Sequence, residues 1–358
     1  MYNNLTVLLS ASNSPSTPGF IDCLRGNGER NIRIIGVDMS SDPSARFVVD
    51  TFYRVPPATD PRYCEILLNI CRKEKVDIYF PTISAEVSVI ARRKSDFEAN
   101  GTRVSISDIH AVEISNDKLE AYKYLEMNGI PVPKYYGVYT VKDFIDGCKV
   151  MGYPRKPVCL KVVNNSGSRG VRIIDANRDR YQLFAHEKPN SFFVSYEDML
   201  SILQSVEKLD KMMLVEYMPG NEYTVDLLAD HGKVLYMVGR ENVVSMMSIA
   251  LESVVTRIES AYETSRMIVE ALKFDGNIGF DFMKNEKGIP VLMDINPRLT
   301  ATVSVTAAAG INLPYLRIKQ LLGEPLPKCT VDYGTRLKRR YSEIYTDSKN
   351  NRIFLNNY

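Results

Sequence analysis

No stretch of this 358-residue chain approaches the ~18 consecutive apolar residues that a membrane helix requires, so no helical span is expected. The opening, MYNNLTVLLSASNS, has no basic n-region and only a short apolar run, and it reads as the start of a folded domain, not as a secretion signal. The 6 cysteines, Cys23, Cys64, Cys71, Cys148, Cys159 and Cys329, form no CxxC pair and stand at no zinc spacing with histidine. They read as reduced thiols, which points to the cytoplasm. A net charge of +2 gives no general argument for nucleic acid or a membrane surface as partner. The one basic run, Arg336 to Arg340, reads as a solvated strand face. His110, His186 and His231 are the 3 histidines, and none joins a nucleophilic constellation. The first loop, SASNSPSTPG, lacks GxGxxG, and no GK[ST] opens a helix. Asp38 stands where a ribose-binding acid would, yet it reads as a strand-end turn residue. A nicotinamide-dependent enzyme built on the first domain is therefore the weaker alternative.

What is present is ordinary in bulk and specific in pattern. The chain is 45% hydrophobic and 25% charged, as soluble globular proteins are, and long enough for two or three domains. The stretch Gly279 to Arg298, GFDFMKNEKGIPVLMDINPR, reads as two strands joined by a polar turn at Asn285 to Gly288. Side chains alternate along a strand, so Asp281 points away from Phe280 and Phe282. In the second strand Val291, Met293 and Ile295 share one face, with Leu292, Asp294 and Asn296 on the other. Pairing around the turn sets Asp281 opposite Asp294, and facing carboxylates repel unless a positive charge lies between them. Two carboxylates and an amide oxygen, completed by water and phosphate, suit magnesium. A half-exposed hairpin with a solvated polar face is the other reading of the same pattern.

From residue 5, short apolar strands alternate with helical stretches: LTVLLS, a helix near Gly19 to Arg25, IRIIGVDMS, a helix over Arg62 to Glu74, VDIYFPT, a helix over Glu86 to Glu98, and RVSISD. This is the pattern of a Rossmann-like α/β domain with a parallel sheet, ending near residue 112. Next comes SNDKLEAYKYLEMNGIPVP, a helix with Ser115 as expected N-cap and Gly129 as stop. Lys118 falls in its first turn, where the helix dipole disfavours a cation. VCLKVVNNSGSRGVRII places Lys161 inside an apolar strand, where an ammonium needs a partner, before a loop with Gly167 and Gly170 and with Arg169 at its tip. KMMLVEYMPGNEYTVDLLAD reads as two strands about the turn Pro219 to Asn221, flanked by Glu216 and Glu222. VLYMVGRE delivers Arg240, and a helix over Ser260 to Leu272 precedes the acidic hairpin. Beyond it, TVSVTAAAGINLPYLRIKQLLG reads as a small-residue helix start, a turn and a helix, and VDYGTRLKRRYSEIY as a closing strand.

Taken in this order, the DK pair Asp117 and Lys118, the lysine strand running into a glycine loop, VEYMPGNEYTVD and the acidic hairpin ending D-x-N-P-R resemble the ATP-grasp superfamily. The likeness is closest to the ATP-grasp unit of carbamoyl phosphate synthetase large chains and related carboxylate-amine ligases. The resemblance implies a Rossmann-like domain over 1–112, a linker helix and lid over 113–213, an α+β C-terminal domain with an antiparallel sheet and metal site over 214–345, and a tail over 346–358. It also assigns roles. Lys118 and Lys161 contact the ATP phosphates, and the loop Ser166, Gly167, Ser168, Arg169 and Gly170 closes over them. Main-chain groups of Glu216 and Met218, beside Tyr217, read the adenine, and Glu222 bonds the ribose. Asp281, Asp294 and Asn296 hold magnesium, or manganese in its place, while Arg298 and Arg240 grip the acceptor carboxylate.

The implied activity is an ATP-dependent ligase that makes an acyl phosphate for attack by an amine or other nucleophile. Its partners are small-molecule carboxylate and amine substrates, with no nucleic acid and no membrane, and a homo-oligomer is compatible with it. The alternative is an ATP-binding regulatory module without ligase activity. Two departures from the family pattern stand out. Both metal acids are Asp, which draws the ion nearer the strand by about one methylene than the Glu more usual at the second position. A single copy of the unit with no glutaminase segment sets the expected activity apart from complete carbamoyl phosphate synthesis.

Overall fold

The computed structural model describes residues 2–41, 44–165, 167–187, 191–246, 249–340 and 342–354. Three sheets carry the architecture. The first is built from β1 (Leu5–Leu9), β2 (Ile32–Asp38), β3 (Thr51–Arg54), β4 (Ile78–Phe80) and β5 (Arg103–Val104), all parallel in the order β3-β2-β1-β4-β5. Helices α1 (Thr17–Arg25), α2 (Tyr63–Glu74), α3 (Ser84–Arg92) and α4 (Lys94–Ala99) cover it. Strict alternation assigns the two faces: Leu5, Val7 and Leu9 pack with α1, whereas Leu8, Ile35, Val37 and Tyr79 pack with α2, α3 and α4. A parallel sheet buried on both faces is what the Rossmann-like reading requires. The single helix expected over Glu86 to Glu98 is two, broken at Arg93, and the four-residue strand β3, TFYR, is an element the sequence reading missed.

Two helices then lead into the cleft, α5 (Ile109–Asn116) and α6 (Lys118–Met127). Ser115 is not the N-cap of the second one; it lies inside α5, and its hydroxyl donates to Ala111 O at 2.6 Å. Asp117 caps α6, accepting from the N–H groups of Leu119 and Glu120 at 3.1 Å. An aspartate caps as well as a serine, and its charge also favours the helix N-terminus. Lys118 is thus the first residue of the helix.

The lid sheet, in the order β6-β10-β7-β8-β9, comprises β6 (Tyr135–Val138), β7 (Val158–Val162), β8 (Val171–Ile174), β9 (Phe193–Val194) and β10 (Met212–Glu216). It carries α7 (Val141–Met151), α8 (Arg180–His186) and α9 (Tyr196–Gln204). The third sheet, in the order β15-β14-β11-β12-β13-β16, is antiparallel: β11 (Glu222–Asp230), β12 (Lys233–Met246), β13 (Ile249–Val255), β14 (Gly276–Lys284), β15 (Pro290–Asn296) and the short edge strand β16 (Arg336–Lys338). The two strands flanking Pro219 to Asn221 do not pair with each other. β10 closes the lid and β11 opens the next sheet, so this turn is the hinge between them.

α10 (Glu259–Ala271) covers one face of the third sheet, packing on Tyr223, Val225, Leu227, Phe280 and Phe282. The opposite face carries the polar site at one end. At the other end Leu228 and Val238 join α11 (Ser304–Ala308), α12 (Leu313–Leu321) and the first domain in one shared core. Among the described residues, no helix is long and apolar enough to cross a membrane, and no two cysteines are joined.

Candidate active site

The acidic hairpin forms as the alternation predicts, with one irregularity. β14 and β15 pair antiparallel, and Asp281 lies directly opposite Asp294. The register then slips, so that Phe282 faces Leu292 and Met293 is left over as a bulge. Strict alternation had grouped Met293 with Ile295 and Leu292 with the acids; the bulge reverses this. Leu292 joins Ile295 in the core beneath α10, and Met293 packs instead with Leu119, Tyr122, Val163 and Met213 beside the lid. Met293 therefore connects β15 to the lid sheet.

The site face of the third sheet is a single row of side chains across four strands. Arg240 of β12 faces Thr224 of β11, Thr224 faces Asp281 of β14, and Asp281 faces Asp294 of β15. Thr224 Oγ1 donates to Asp281 at 2.7 Å, and Asn296 Nδ2 donates to the other carboxylate oxygen at 2.8 Å. Burial, reinforced by the charges of Glu222 and Asp294, pushes the Asp281 carboxyl up to about 7. Two carboxylates and a carboxamide are a donor set suited to magnesium, with phosphate and water completing the shell. Another group of acids and histidine, Asp230, His231 and Asp275, lies at the far end of β11, where Arg317 already binds Asp275 through both oxygens.

Arg240 and Asp226 are each about 2–3% exposed and form a buried ion pair at 2.8 Å. Asn242 accepts from Arg240 and donates to Glu222; Thr300 Oγ1 donates to Asp226 at 2.6 Å and accepts from Arg240 at 3.2 Å. The network needs Gly279, because a Cβ there would lie 2.1 Å from the Thr300 methyl. All three nitrogens of the Arg240 guanidinium are thereby engaged. The expected direct grip on an acceptor by Arg240 does not match this packing, which instead braces the row beside Glu222. Thr224, Asp226, Asn242 and Thr300 escaped the sequence reading. Thr224 and Asp226 alternate with Tyr223, Val225 and Leu227, and that polar face was the available signal.

Cations meet this row from other elements. Lys118, at the start of α6, places Nζ 3.2 Å from Asp294 Oδ1 and 3.0 Å from Asn165 O, on the strand-to-loop connection of the lid. Lys161 shares a lid-sheet row with Met213, on the cleft side, and its Nζ reaches the sulfur of Met293 at 3.6 Å. Arg298 bonds Asn296 Oδ1 at 3.1 Å, Leu299 O at 2.9 Å and Ser84 Oγ at 3.1 Å. Ser84 begins α3 of the first domain, whose buried Glu86 accepts from Thr82 N and Ile83 N and so fixes the turn. Among the described residues, no carboxylate lies within 4.0 Å of the charged ends of Lys161 or Arg298.

The remaining predicted residues lie around the cleft. Gly167, Ser168 and Gly170 all have left-handed φ (+65°, +58° and +69°), which turns the loop between β7 and β8 sharply, with Arg169 inside the turn; Ser166 lies outside the described residues. At the hinge, Glu216 is pinned by Lys134, donating its N–H to Lys134 O at 3.0 Å and accepting from Lys134 N at 2.8 Å. Tyr217 is half-buried with its ring edge-on to Phe193, and Met218 is buried against the bulged Met293. Glu222 stands on the same face of β11 as Thr224, next to Asp281.

Residues 208–342 match the family described as ATP-grasp in the biosynthetic pathway with Ter operon, and residues 21–105 match the PylC-like N-terminal domain. The chain is 23% identical over 300 residues to the carbamoyl phosphate synthase large chain of Methanobrevibacter smithii, covering 80% of this chain and 26% of that one. It therefore spans about a quarter of the length of such relatives. Among solved structures it is similar to biotin carboxylase from Campylobacter jejuni, with a TM-score of 0.67 and 16% identity over 91% of this chain and 74% of that one. It is also similar to N5-carboxyaminoimidazole synthetase from Staphylococcus aureus, with a TM-score of 0.64 and 14% identity over 91% and 80%. Residues 208–342 thus carry an ATP-grasp match, and the chain resembles the ATP-grasp unit of carbamoyl phosphate synthase large chains.

Proposed function

We propose that the chain is an ATP-dependent ligase. A substrate carboxylate attacks the γ-phosphorus of ATP, forming an acyl phosphate and releasing ADP; an amine or another nucleophile then attacks the acyl carbon and releases phosphate. Phosphoryl transfer asks little covalent chemistry of the protein, and the work is positioning and charge neutralisation. Lys118 and Lys161 hold the phosphates from the two sides of the cleft. The loop 166–170 closes over them and excludes water from the acyl phosphate. Main-chain groups at Glu216 and Met218 read the adenine beside Tyr217, and Glu222 bonds the ribose. Asp281, Asp294 and Asn296 would hold magnesium, which would supply positive charge to the β- and γ-phosphates. Arg298 takes the acceptor carboxylate, with Arg240 as a positioning residue behind the row.

The observation that carries this reading is Arg298. It is a half-buried guanidinium held by Asn296, Ser84 and a main-chain carbonyl, beside two carboxylates that it does not pair with. A cation so placed suits an incoming anion at the edge of a metal-nucleotide site. The test is a screen for ADP and phosphate release with magnesium and ATP against a panel of amino acids, small acids and amines. Release that depends on both an acid and a nucleophile supports the ligase. MgATP binding with no release for any pair favours the regulatory module, and release of AMP with pyrophosphate refutes the acyl phosphate step.

A further inference from the structure

Outside the cleft, an open groove lies along the first half of β12. β13 pairs with β12 only from Arg240 to Met246. At Gly239 the ladder ends, with its carbonyl accepting from Thr256 N at 2.9 Å and its N–H donating to Tyr262 OH at 2.7 Å. From Lys233 to Val238 the side of β12 away from β11 has no strand partner among the described residues. An unpaired strand edge presents main-chain donors and acceptors in a row, ready to template another strand.

This edge is the floor of an open groove of about 830 Å³, walled by α10 on one side and by residues 329–333 on the other. Its charge is one-sided. Lys233, Arg257, Arg266 and Lys273 line it against a single lining carboxylate, Glu270. Arg257 and Arg266 share Glu259, while among the described residues Lys233 and Lys273 have no carboxylate within 4.0 Å. In a chain whose net charge is only +2, this is a local concentration of positive charge. Leu235, Met237 and Val331 provide apolar surface between the cations, and Tyr333 at the rim is 45% exposed.

We propose that the edge of β12 over Lys233–Val238 docks an extended acidic segment of a partner protein, which adds there as a further strand. Main-chain pairing supplies affinity, alternate side chains fill the apolar floor, and carboxylates between them meet the four cations. The charge excess selects an acidic partner over a neutral or basic one. The same strand continues through Gly239 to Arg240 and Asn242, so a docked segment lies one strand's length from the nucleotide site. This proposal does not depend on the ligase reading.

The test uses the full chain and a fluorescent peptide of alternating glutamate and valine, followed by anisotropy and by amide hydrogen exchange. Saturable binding is expected, with slowed exchange at β12, and about tenfold or greater weakening in the Lys233→Glu/Lys273→Glu variant. The same peptide N-methylated at alternate amides should lose binding to the unaltered chain, which keeps the test independent of how the variant folds. Absence of saturable binding overturns the proposal. So does equal binding of the N-methylated peptide, which would reduce the groove to a simple anion site. A dimer of the chain that the double variant dissociates would likewise overturn it, because a second copy would then occupy the edge.

Discussion

Lys118 and Asp294 form an ion pair at 3.2 Å across the base of the cleft, joining the first residue of α6 to the strand that faces Asp281. The mutual repulsion of the two aspartates is thus relieved in part by the protein itself. Lys118 neutralises one carboxylate, Thr224 and Asn296 donate to the other, and Asp281 is held toward its protonated form. On the proposed reading, a metal-nucleotide complex would exchange partners at this site: Lys118 would pass from Asp294 to phosphate, and the carboxylates would be left to the metal.

Removing the exchange partner should abolish chemistry while sparing the fold. Asp294→Ala deletes a half-exposed carboxylate and no core packing, so its thermal unfolding should match the parent within a few degrees. Magnesium-dependent ADP release should fall on the order of a hundredfold or more. Full activity in this variant would show that Asp294 holds no metal.

Lys161→Met should weaken ATP binding with little cost in stability. The lysine stands on a lid strand against the sulfur of Met293, and a methionine of similar length can occupy the same apolar surface. Unchanged affinity in a calorimetric titration would show that this lysine is only structural.

Asp281 gives a pH signature. Its carboxyl is raised to about 7, mainly by burial, from an ordinary value of about 4. The folded, ligand-free protein thus holds a proton that the unfolded chain has released. That contribution is fully present below about pH 4 and is lost as pH rises through about 7. Measured against Asp281→Asn, which does not titrate, the parent should lose relative thermal stability over that window and then level off. A flat difference would mean that burial does not raise this carboxyl.

The buried pair Asp226–Arg240 should prove structural. Asp226→Ala leaves an uncompensated guanidinium, so denaturant unfolding should show a loss of about 3–5 kcal/mol. Thr300→Val should cost less, since Arg240 keeps Asp226 and Asn242. A negligible effect of Asp226→Ala would remove the network from the account.

Much of this was legible in the sequence, for identifiable reasons. Facing aspartates could be read because strand alternation and a short polar turn fix the register locally. Lys118 and Lys161 stood out because each violated a local rule, a cation at a helix N-terminus and a cation in an apolar strand. The bulge at Met293 was not legible, since it answers to packing against Leu119 and Met213 from distant segments. The contact between Ser84 and Arg298 joins residues separated by 214 positions, beyond any local pattern. The cap moved from Ser115 to Asp117 because α5 runs directly up to α6, leaving no loop between them.

The claim on which the account rests is that Asp281 and Asp294 together hold a divalent ion only when nucleotide is bound. Manganese, used in place of magnesium, can be counted by electron paramagnetic resonance with and without ADP. Tight, ADP-dependent manganese binding is expected in the parent chain and should disappear in Asp281→Asn/Asp294→Asn. Equal manganese binding in the two proteins, or binding indifferent to ADP, would contradict it.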